Sequence, residues 1–340
     1  MELRRLGNSG LKVSVLSLGA MTFGESETFM KGVTSGDDEA RRIFDAAIDA
    51  GVNLVDTANV YSEGRSEELT GKWIEGKRDR VLLATKCRFP IGFGTRPVGP
   101  YDMGLSRKAI LDACDASLKR LHTDVIDLYQ VHMQDGSVPI EETLRALDDL
   151  VTAGKVRYIG CSNYAAYRLV ESLWAADKLR THRYASIQLQ WSLAVRDAER
   201  EVIPACRRFD IGTLIWSPLA RGFLSGKYKK GQKAPEGSRL ESWQDSYAQF
   251  DNDRMWNLID VLGEVAQRHE TTHAAIALAW LLNRPETTSV IMGARTMDQL
   301  QANLKAASVK LTHKDVQSLD DASKPAWGYP YDFIARLEQW

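Results

Sequence analysis

The feature that most constrains the fold is an alternation. Short apolar runs, VLSLG, NLVDTA, VLLATK, VIDLYQVH, VRYIG, ASIQLQ, GTLIWS and SVIMG, recur along the chain, and amphipathic stretches separate them. Continuous apolar strands alternating with helices demand parallel pairing, both faces covered and right-handed crossovers. Eight such units predict a closed (β/α)8 TIM barrel rather than an open doubly wound sheet. A length of 340 residues suits one such barrel with insertions, so residues 1–340 are expected to form a single barrel domain.

Local signals fill in the pattern. Arg4 to Leu6 and Lys12 to Val15 flank GNSG and read as a hairpin ahead of the barrel. Asp37 and Asp38 open a helix with Ile43, Phe44, Ala47 and Ile48 on one face, and Gly51 ends it. The next helix, Ser66 to Ile74, carries acidic residues in its first turn, as the helix dipole prefers. Ser106 caps a third, with Ile110, Ala113, Cys114, Ser117 and Leu121 at helical spacing. Further helices cover Ile140 to Ala153, a stretch through Leu169, Leu173 and Trp174, and Glu199 to Phe209. After the seventh strand the alternation breaks. Ala220 to Asp251 reads as a long loop rich in Gly, Lys and Ser, followed by two helical patterns, Asp253 to His269 and Thr272 to Asn283. Beyond Lys324 lies a tail with Trp327, Tyr329, Tyr331, Phe333 and Trp340. Loops longer than about 12 residues in a compact domain are usually functional. The loop and the tail are therefore expected to close over the mouth of the barrel.

Composition removes several function classes. The formal net charge is -1 and no basic run is present, which disfavours nucleic acid as a partner. Cys87, Cys114, Cys161 and Cys206 lack CxxC spacing, so neither a zinc site nor a disulfide framework is suggested. No stretch reaches the roughly 18 apolar residues of a membrane span, and the amino terminus lacks a secretory core. A cytoplasmic protein with reduced thiols is expected. His269 and His273 are four apart, but no third ligand is near, and no metal site is expected.

The chemistry concentrates at strand ends. Asp56, Lys86, His132, Asn163 and Gln188 fall at or just past the carboxyl ends of the second to sixth strands, so the fold itself brings them to one face. Asp56 and Lys86 would pair, and Tyr61 could set its hydroxyl over that pair. A free tyrosine has a pKa of about 10, and an adjacent ammonium would lower it and ease proton delivery. His132 could donate to a carbonyl oxygen. The same residues also fit a structural ion pair at the rim with a surface tyrosine and a hydrogen-bonded histidine.

A phosphate site is sought after strands seven and eight, because the first strand leads into GAMTFG, which is not GxGxxG. Strand seven runs into WSPLARGFLSGKY, with Arg221 and Lys227 among glycines able to wrap a pyrophosphate. Strand eight runs into GARTMDQLQANL, where Arg295 and Thr296 open a helix suited to an isolated phosphate. Either segment alone also reads as a surface loop or a helix cap. Placed together at that corner, they favour a nucleotide.

These residues resemble the aldo-keto reductases along nearly the whole chain. The matching motifs are LGNSGLKVS, VDTANVYSEGRSEELTGKWI, LATK, DLYQVH, GKVRYIGCSN, SIQLQWSL, WSPLARGFLSGKY and GARTMDQLQANL, in family order. The resemblance implies NADPH, preferred over NADH, and hydride transfer from the nicotinamide ring to a small-molecule carbonyl substrate without metal. It makes Asp56, Tyr61, Lys86 and His132 a catalytic tetrad, with Tyr61 as the general acid in reduction. Ser162, Asn163 and Gln188 look like carboxamide ligands, and Ser217, Leu219, Arg221 and Lys227 like pyrophosphate ligands. Arg295, Thr296, Gln299 and Asn303 look like the 2'-phosphate and adenine set, and Thr22 is expected at the cofactor. Trp191 stands where the family usually has its stacking tyrosine, and Ala302 where it often has a glutamate. Phe23, Phe89, Phe93, Trp191, Trp243, Trp327 and Tyr329 are candidates for an aromatic substrate pocket, with Phe23, Trp243 and Trp327 joining Tyr61 and His132 at the substrate. The loops are similar to the bacterial, aryl-alcohol-dehydrogenase-like and potassium-channel-β-like branches. Two other roles stay open: a cofactor-binding redox sensor or regulatory subunit resembling channel β subunits, and a Schiff-base enzyme at Lys86. Helix surfaces in this fold can be bare or paired, which leaves a homo-oligomer open.

Overall fold

The structure, a computed structural model, describes residues 1–26, 30–92 and 97–337. A hairpin of β1 (Leu3–Arg5) and β2 (Lys12–Ser14) precedes the first barrel strand, β3 (Leu16–Gly19). There follow α1 (Asp37–Asp49), β4 (Leu54–Asp56), α2 (Arg65–Ile74), β5 (Leu82–Cys87), α3 (Arg107–Arg120), β6 (Ile126–Val131), α4 (Ile140–Thr152) and β7 (Val156–Ser162). The chain continues through α5 (Ala166–Leu179), β8 (Ser186–Gln190), α6 (Val202–Phe209) and β9 (Gly212–Trp216). Two short helices, α7 (Arg239–Ser242) and α8 (Gln244–Phe250), lead to α9 (Asp253–Arg268), α10 (His273–Leu282), β10 (Ser289–Met292), α11 (Met297–Leu304), α12 (His313–Ser323) and α13 (Tyr331–Leu337). The eight strands β3 to β10 close in the order β10-β3-β4-β5-β6-β7-β8-β9, every ladder parallel. No helix among the described residues is long and apolar enough to cross a membrane.

Side-chain alternation along the strands divides the core in two. Val55, Leu83, Tyr129, Ile187 and Ile215 point outward into the layer shared with the helices. Leu54, Ala84, Leu128, Leu214 and Ile291 point into the barrel, where Leu6 and Val13 of the hairpin join them. The hairpin thus plugs the amino-terminal end. Gly7 makes this possible: it sits at φ +53 against Gly212, where an added Cβ would lie 2.4 Å from the Gly212 nitrogen.

The same two-residue period fixes what reaches the other end. Continuing inward from Leu54, Ala84, Leu128 and Leu214 are Asp56, Lys86, Gln130 and Trp216. Strand pairing sets Asp56 beside Ala84 and Lys86 beside Gln130.

Two expectations change. The stretch Ala220 to Asp251 is not a plain loop: a 3-10 turn at Ala220–Ser225 and helices α7 and α8 structure it. On α5, Leu169 and Leu173 are buried and Trp174 is 68% exposed. Among the described residues, none of the tail lines the cavity. Tyr331 at the start of α13 donates its hydroxyl to Glu201 at 2.7 Å and lies under the Arg200 guanidinium, which docks the tail on the rim at the start of α6. Phe93 and Trp340 lie outside the described residues.

Candidate active site

At the carboxyl ends of the strands lies a cavity of about 840 Å³. Its inner end holds a buried ion pair beside a tyrosine hydroxyl. Lys86 Nζ, fully buried, donates to Asp56 Oδ2 at 2.6 Å and to the Thr57 carbonyl at 2.8 Å. After β4 the chain runs on beside β5, with Thr57 N–H bonded to the Ala84 carbonyl and Asn59 N–H to that of Lys86. This brings Tyr61 back over the lysine, its hydroxyl 3.4 Å from Nζ. Ser62 and Glu63 then take left-handed conformations, φ 46 and 55, and the Ser62 hydroxyl bonds the Gly24 carbonyl. Backbone in that region is sparsely populated and is held only by surrounding contacts.

The charges here are matched. Asp56 Oδ1 accepts from Gln188 Nε2 at 2.8 Å and from Gln130 Nε2 at 3.1 Å, so the carboxylate has three donors. Because a carboxylate only accepts, the Gln188 amide must turn its nitrogen inward, which leaves its oxygen for the cavity. Burial works against the Lys86 ammonium, yet the charges of Asp56 and Tyr61 and its bonds to both hold its pKa above the ordinary lysine value. An amine kept as an ammonium is no nucleophile, so a Schiff base at Lys86 finds no support here.

Burial also pushes the Tyr61 phenol up, and the Lys86 ammonium only partly offsets it. This corrects the expected lowering: the ion pair is nearly neutral as a unit, so loss of water around the phenolate outweighs the attraction. Tyr61 stays protonated near neutrality. Burial, reinforced by Lys86 and Arg88, holds His132 well below the ordinary histidine range, so its imidazole is neutral. Its ring stands edge-on between Tyr61, at 5.7 Å between centroids, and Phe89, at 5.1 Å.

The outer end gathers positive charge. Arg221, Lys227, Arg239 and Arg295 all line the cavity, together with Ser217, Leu219, Gly222, Gln299, Ala302 and Asn303. Ser217, Ala220, Arg221 and Gly222 are all left-handed, which coils the segment after β9 tightly, and Arg221 N–H bonds the Ser217 hydroxyl. Burial and the neighbouring Arg295 and Arg239 lower the Lys227 pKa. Burial and Arg295 bring Arg239 down to about 10. Among the described residues no carboxylate forms an ion pair with any of the four. Arg221 and Arg239 flank the Trp243 indole at 5.6 and 5.5 Å. Four cations held together without counter-ions make a site for a polyanion.

Most residues singled out from the sequence meet here. Asp56, Tyr61, His132, Asn163, Gln188, Thr22, Ser217, Leu219, Arg221, Lys227, Arg295, Gln299, Asn303, Phe89 and Trp243 line the cavity, with Lys86 immediately behind them. Others do not reach it. Phe23 is buried in the outer core against Trp73, at 5.3 Å. Trp191 is buried as well, donating Nε1 to Glu199 at 2.7 Å and packing on Trp280. Counting by twos from the outward Ile187 and Leu189 puts position 191 on the helix side. The same count from the inward Leu214 puts Trp216 on the cavity wall, where the structure has it. Ser162 is buried and supports Asn163, its hydroxyl accepting from Nδ2 at 3.0 Å. Thr296 caps α11 through the Gln299 N–H and is not on the cavity wall. Trp327, in the tail, is also off the wall. Sequence reading missed Trp216 and Arg239: strand parity would have found the first, whereas only the folded α7 reveals the second. No cluster of three metal-ligating side chains occurs among the described residues, and His269 instead bonds Asp315 at 2.9 Å.

One cavity at the mouth of a closed parallel barrel thus holds the Tyr61, Lys86 and Asp56 set and a cluster of four cations. The model of the aldo/keto reductase family matches residues 15–324, and the chain belongs to that family. A versiconal hemiacetal acetate reductase of Aspergillus parasiticus is 35% identical, the match covering 97% of this chain and 99% of that protein. A Schizosaccharomyces pombe protein that bears the name of an aryl-alcohol dehydrogenase is 36% identical over 94% of this chain and 95% of its own. A "Probable voltage-gated potassium channel subunit beta" of Arabidopsis thaliana is 38% identical over 91% of this chain and 92% of its own.

Proposed function

We propose that this protein is an NADPH-dependent reductase that converts an aldehyde or ketone to the alcohol, with Tyr61 as proton donor. The observation that carries this reading is one cavity with the Tyr61, Lys86 and Asp56 array at its inner end and, at its outer end, four cations without an ion pair among the described residues. The array suits proton transfer to an oxygen that gains charge, and the cations suit a pyrophosphate and a further phosphate. The bound dihydronicotinamide would supply the hydride.

The chain's own residues divide the remaining work. Asn163 and the outward oxygen of Gln188 would hold the carboxamide, and Trp216 would lie against the ring. Ser217, Leu219, Arg221, Lys227 and Arg239 would hold the pyrophosphate. Arg295, Gln299 and Asn303 would hold the 2'-phosphate and adenine, with Thr296 fixing the helix start beside them. At the reacting end, the neutral His132 donates to the carbonyl oxygen and orients it. Tyr61 gives its proton to that oxygen as hydride reaches the carbon, and the phenolate left behind is stabilised by Lys86. An alkoxide is more basic than a phenolate, so a raised tyrosine pKa still permits transfer. Met21, Val60, Phe89 and Trp243 give the inner cavity apolar walls suited to an uncharged carbonyl compound.

Tyr61→Phe tests the reading. Because general acid catalysis contributes roughly 10²–10⁴-fold, kcat should fall by about that factor while NADPH binding persists. Unchanged turnover would refute Tyr61 as the donor. The channel-subunit name of one relative supports a second reading, a cofactor-holding sensor, which predicts tight NADPH binding with no sustained turnover.

A further inference from the structure

We infer that Trp216 is a positioning residue for His132, acting through Asn163. Among the described residues the imidazole Nδ1 is buried without a hydrogen-bond partner, and the ring's neighbours Tyr61 and Phe89 offer edge-on aromatic contacts rather than hydrogen bonds. Its place is set instead by the main chain of residue 132, which makes two bonds. Its N–H donates to the Cys87 carbonyl at 3.0 Å, and its carbonyl accepts from Asn163 Nδ2 at 2.9 Å.

Asn163 is in turn tightly specified. It stands one residue past β7 at φ 52, a left-handed conformation that asparagine tolerates better than most residues, with its N–H on the Gln188 carbonyl. Its side-chain oxygen accepts from Trp216 Nε1 at 3.1 Å. An indole N–H can only donate and a main-chain carbonyl can only accept, so the amide has one possible orientation. Oxygen faces the indole and nitrogen faces His132. The result is a continuous chain of hydrogen bonds, from the end of β9 through the end of β7 to the end of β6. The indole that faces the cofactor end of the cavity thereby holds the imidazole that faces the carbonyl. A phenyl ring at 216 would keep a flat wall but release the Asn163 oxygen, and the amide could then rotate away from His132.

This inference rests on the reductase reading for its kinetic test, so a second measurement stands apart from turnover. Trp216→Phe, Asn163→Ala and the double variant are compared with the unaltered protein for kcat, substrate KM and NADPH Kd. Loss of positioning without loss of binding should lower kcat about tenfold in Trp216→Phe, with NADPH Kd changed less than about threefold. The double variant should be no slower than the slower single variant, because the chain is already cut. Wild-type kcat in Trp216→Phe, or a double variant whose losses multiply, would overturn the proposal. Independently, the His132 imidazole Cε1–H signal is followed by NMR without cofactor or substrate. One sharp signal in the unaltered protein should broaden or split in both single variants, and a signal that stays single and sharp in both would overturn the proposal even if the protein shows no reductase activity.

Discussion

The two ends of the cavity solve opposite electrostatic problems. At the inner end every charge is answered: the Lys86 ammonium meets Asp56, and the Asp56 carboxylate also takes the amides of Gln130 and Gln188. These groups stand on the ends of β4, β5, β6 and β8 and meet across the barrel, so the closed barrel that brings them together also holds them still. At the outer end Arg221, Lys227, Arg239 and Arg295 stand on turns and short helices, held by Trp243 and by hydrogen bonds to Ser246 and the Gly237 carbonyl, and their charges oppose one another. The inner end is electrostatically complete in the protein alone. On the proposed reading, the outer end is completed by the cofactor's phosphates.

The contrast makes ordered predictions. Lys86→Met removes one partner of a buried pair and leaves Asp56 uncompensated, which should cost about 3–5 kcal/mol of stability, read as a lower urea midpoint with activity lost. At the outer end the sign should reverse. Arg239→Met keeps the stem against Trp243 but removes one of four repelling charges, so the cofactor-free protein should lose no stability. Its NADPH Kd should rise about tenfold, the worth of one charge-assisted phosphate contact. If Arg239→Met unfolded as readily as Lys86→Met, the two ends would not differ as described.

The smallest expected effect is in pH. His132 is held well below the ordinary histidine range and Tyr61 above the ordinary tyrosine value. The imidazole should therefore be neutral, and the phenol protonated, across the neutral range. The rate of carbonyl reduction should show no inflection near the ordinary histidine pKa of about 6.5. Activity should fall only in strong acid, as His132 gains a proton, and in strong alkali, as Tyr61 loses one. A midpoint near 6.5 that vanished in His132→Gln would contradict this assignment.

Much of this was legible in the sequence, and the reasons differ by region. Parallel barrel strands are buried on both faces, so their apolar runs stand out, and their last residues share one face by topology alone. Asp56, Lys86, His132, Asn163 and Gln188 could be grouped for that reason. Which way a side chain points needs the period of two carried through each strand, and at Trp191 and Trp216 that step decides the outcome. The Tyr61 pKa rises where the sequence predicts a fall, because a neighbouring charge is visible in sequence while desolvation is not. Arg239 lies on a four-residue helix inside a Gly-rich segment, where periodicity carries no signal. Aromatic composition misled at Phe23 and Trp327 because large rings serve cores and tails as readily as pockets.

The most direct test is a single titration followed by turnover in the same cuvette. NADPH and NADH are added while tryptophan fluorescence is read, Trp216 and Trp243 being on the cavity wall. An aryl aldehyde is then added and absorbance of the reduced cofactor followed. The account predicts tight NADPH binding, weaker NADH binding and steady oxidation of NADPH. Binding without oxidation across a panel of aldehydes and ketones would contradict the reductase reading, and equal affinity for the two cofactors would contradict the role given to Arg295.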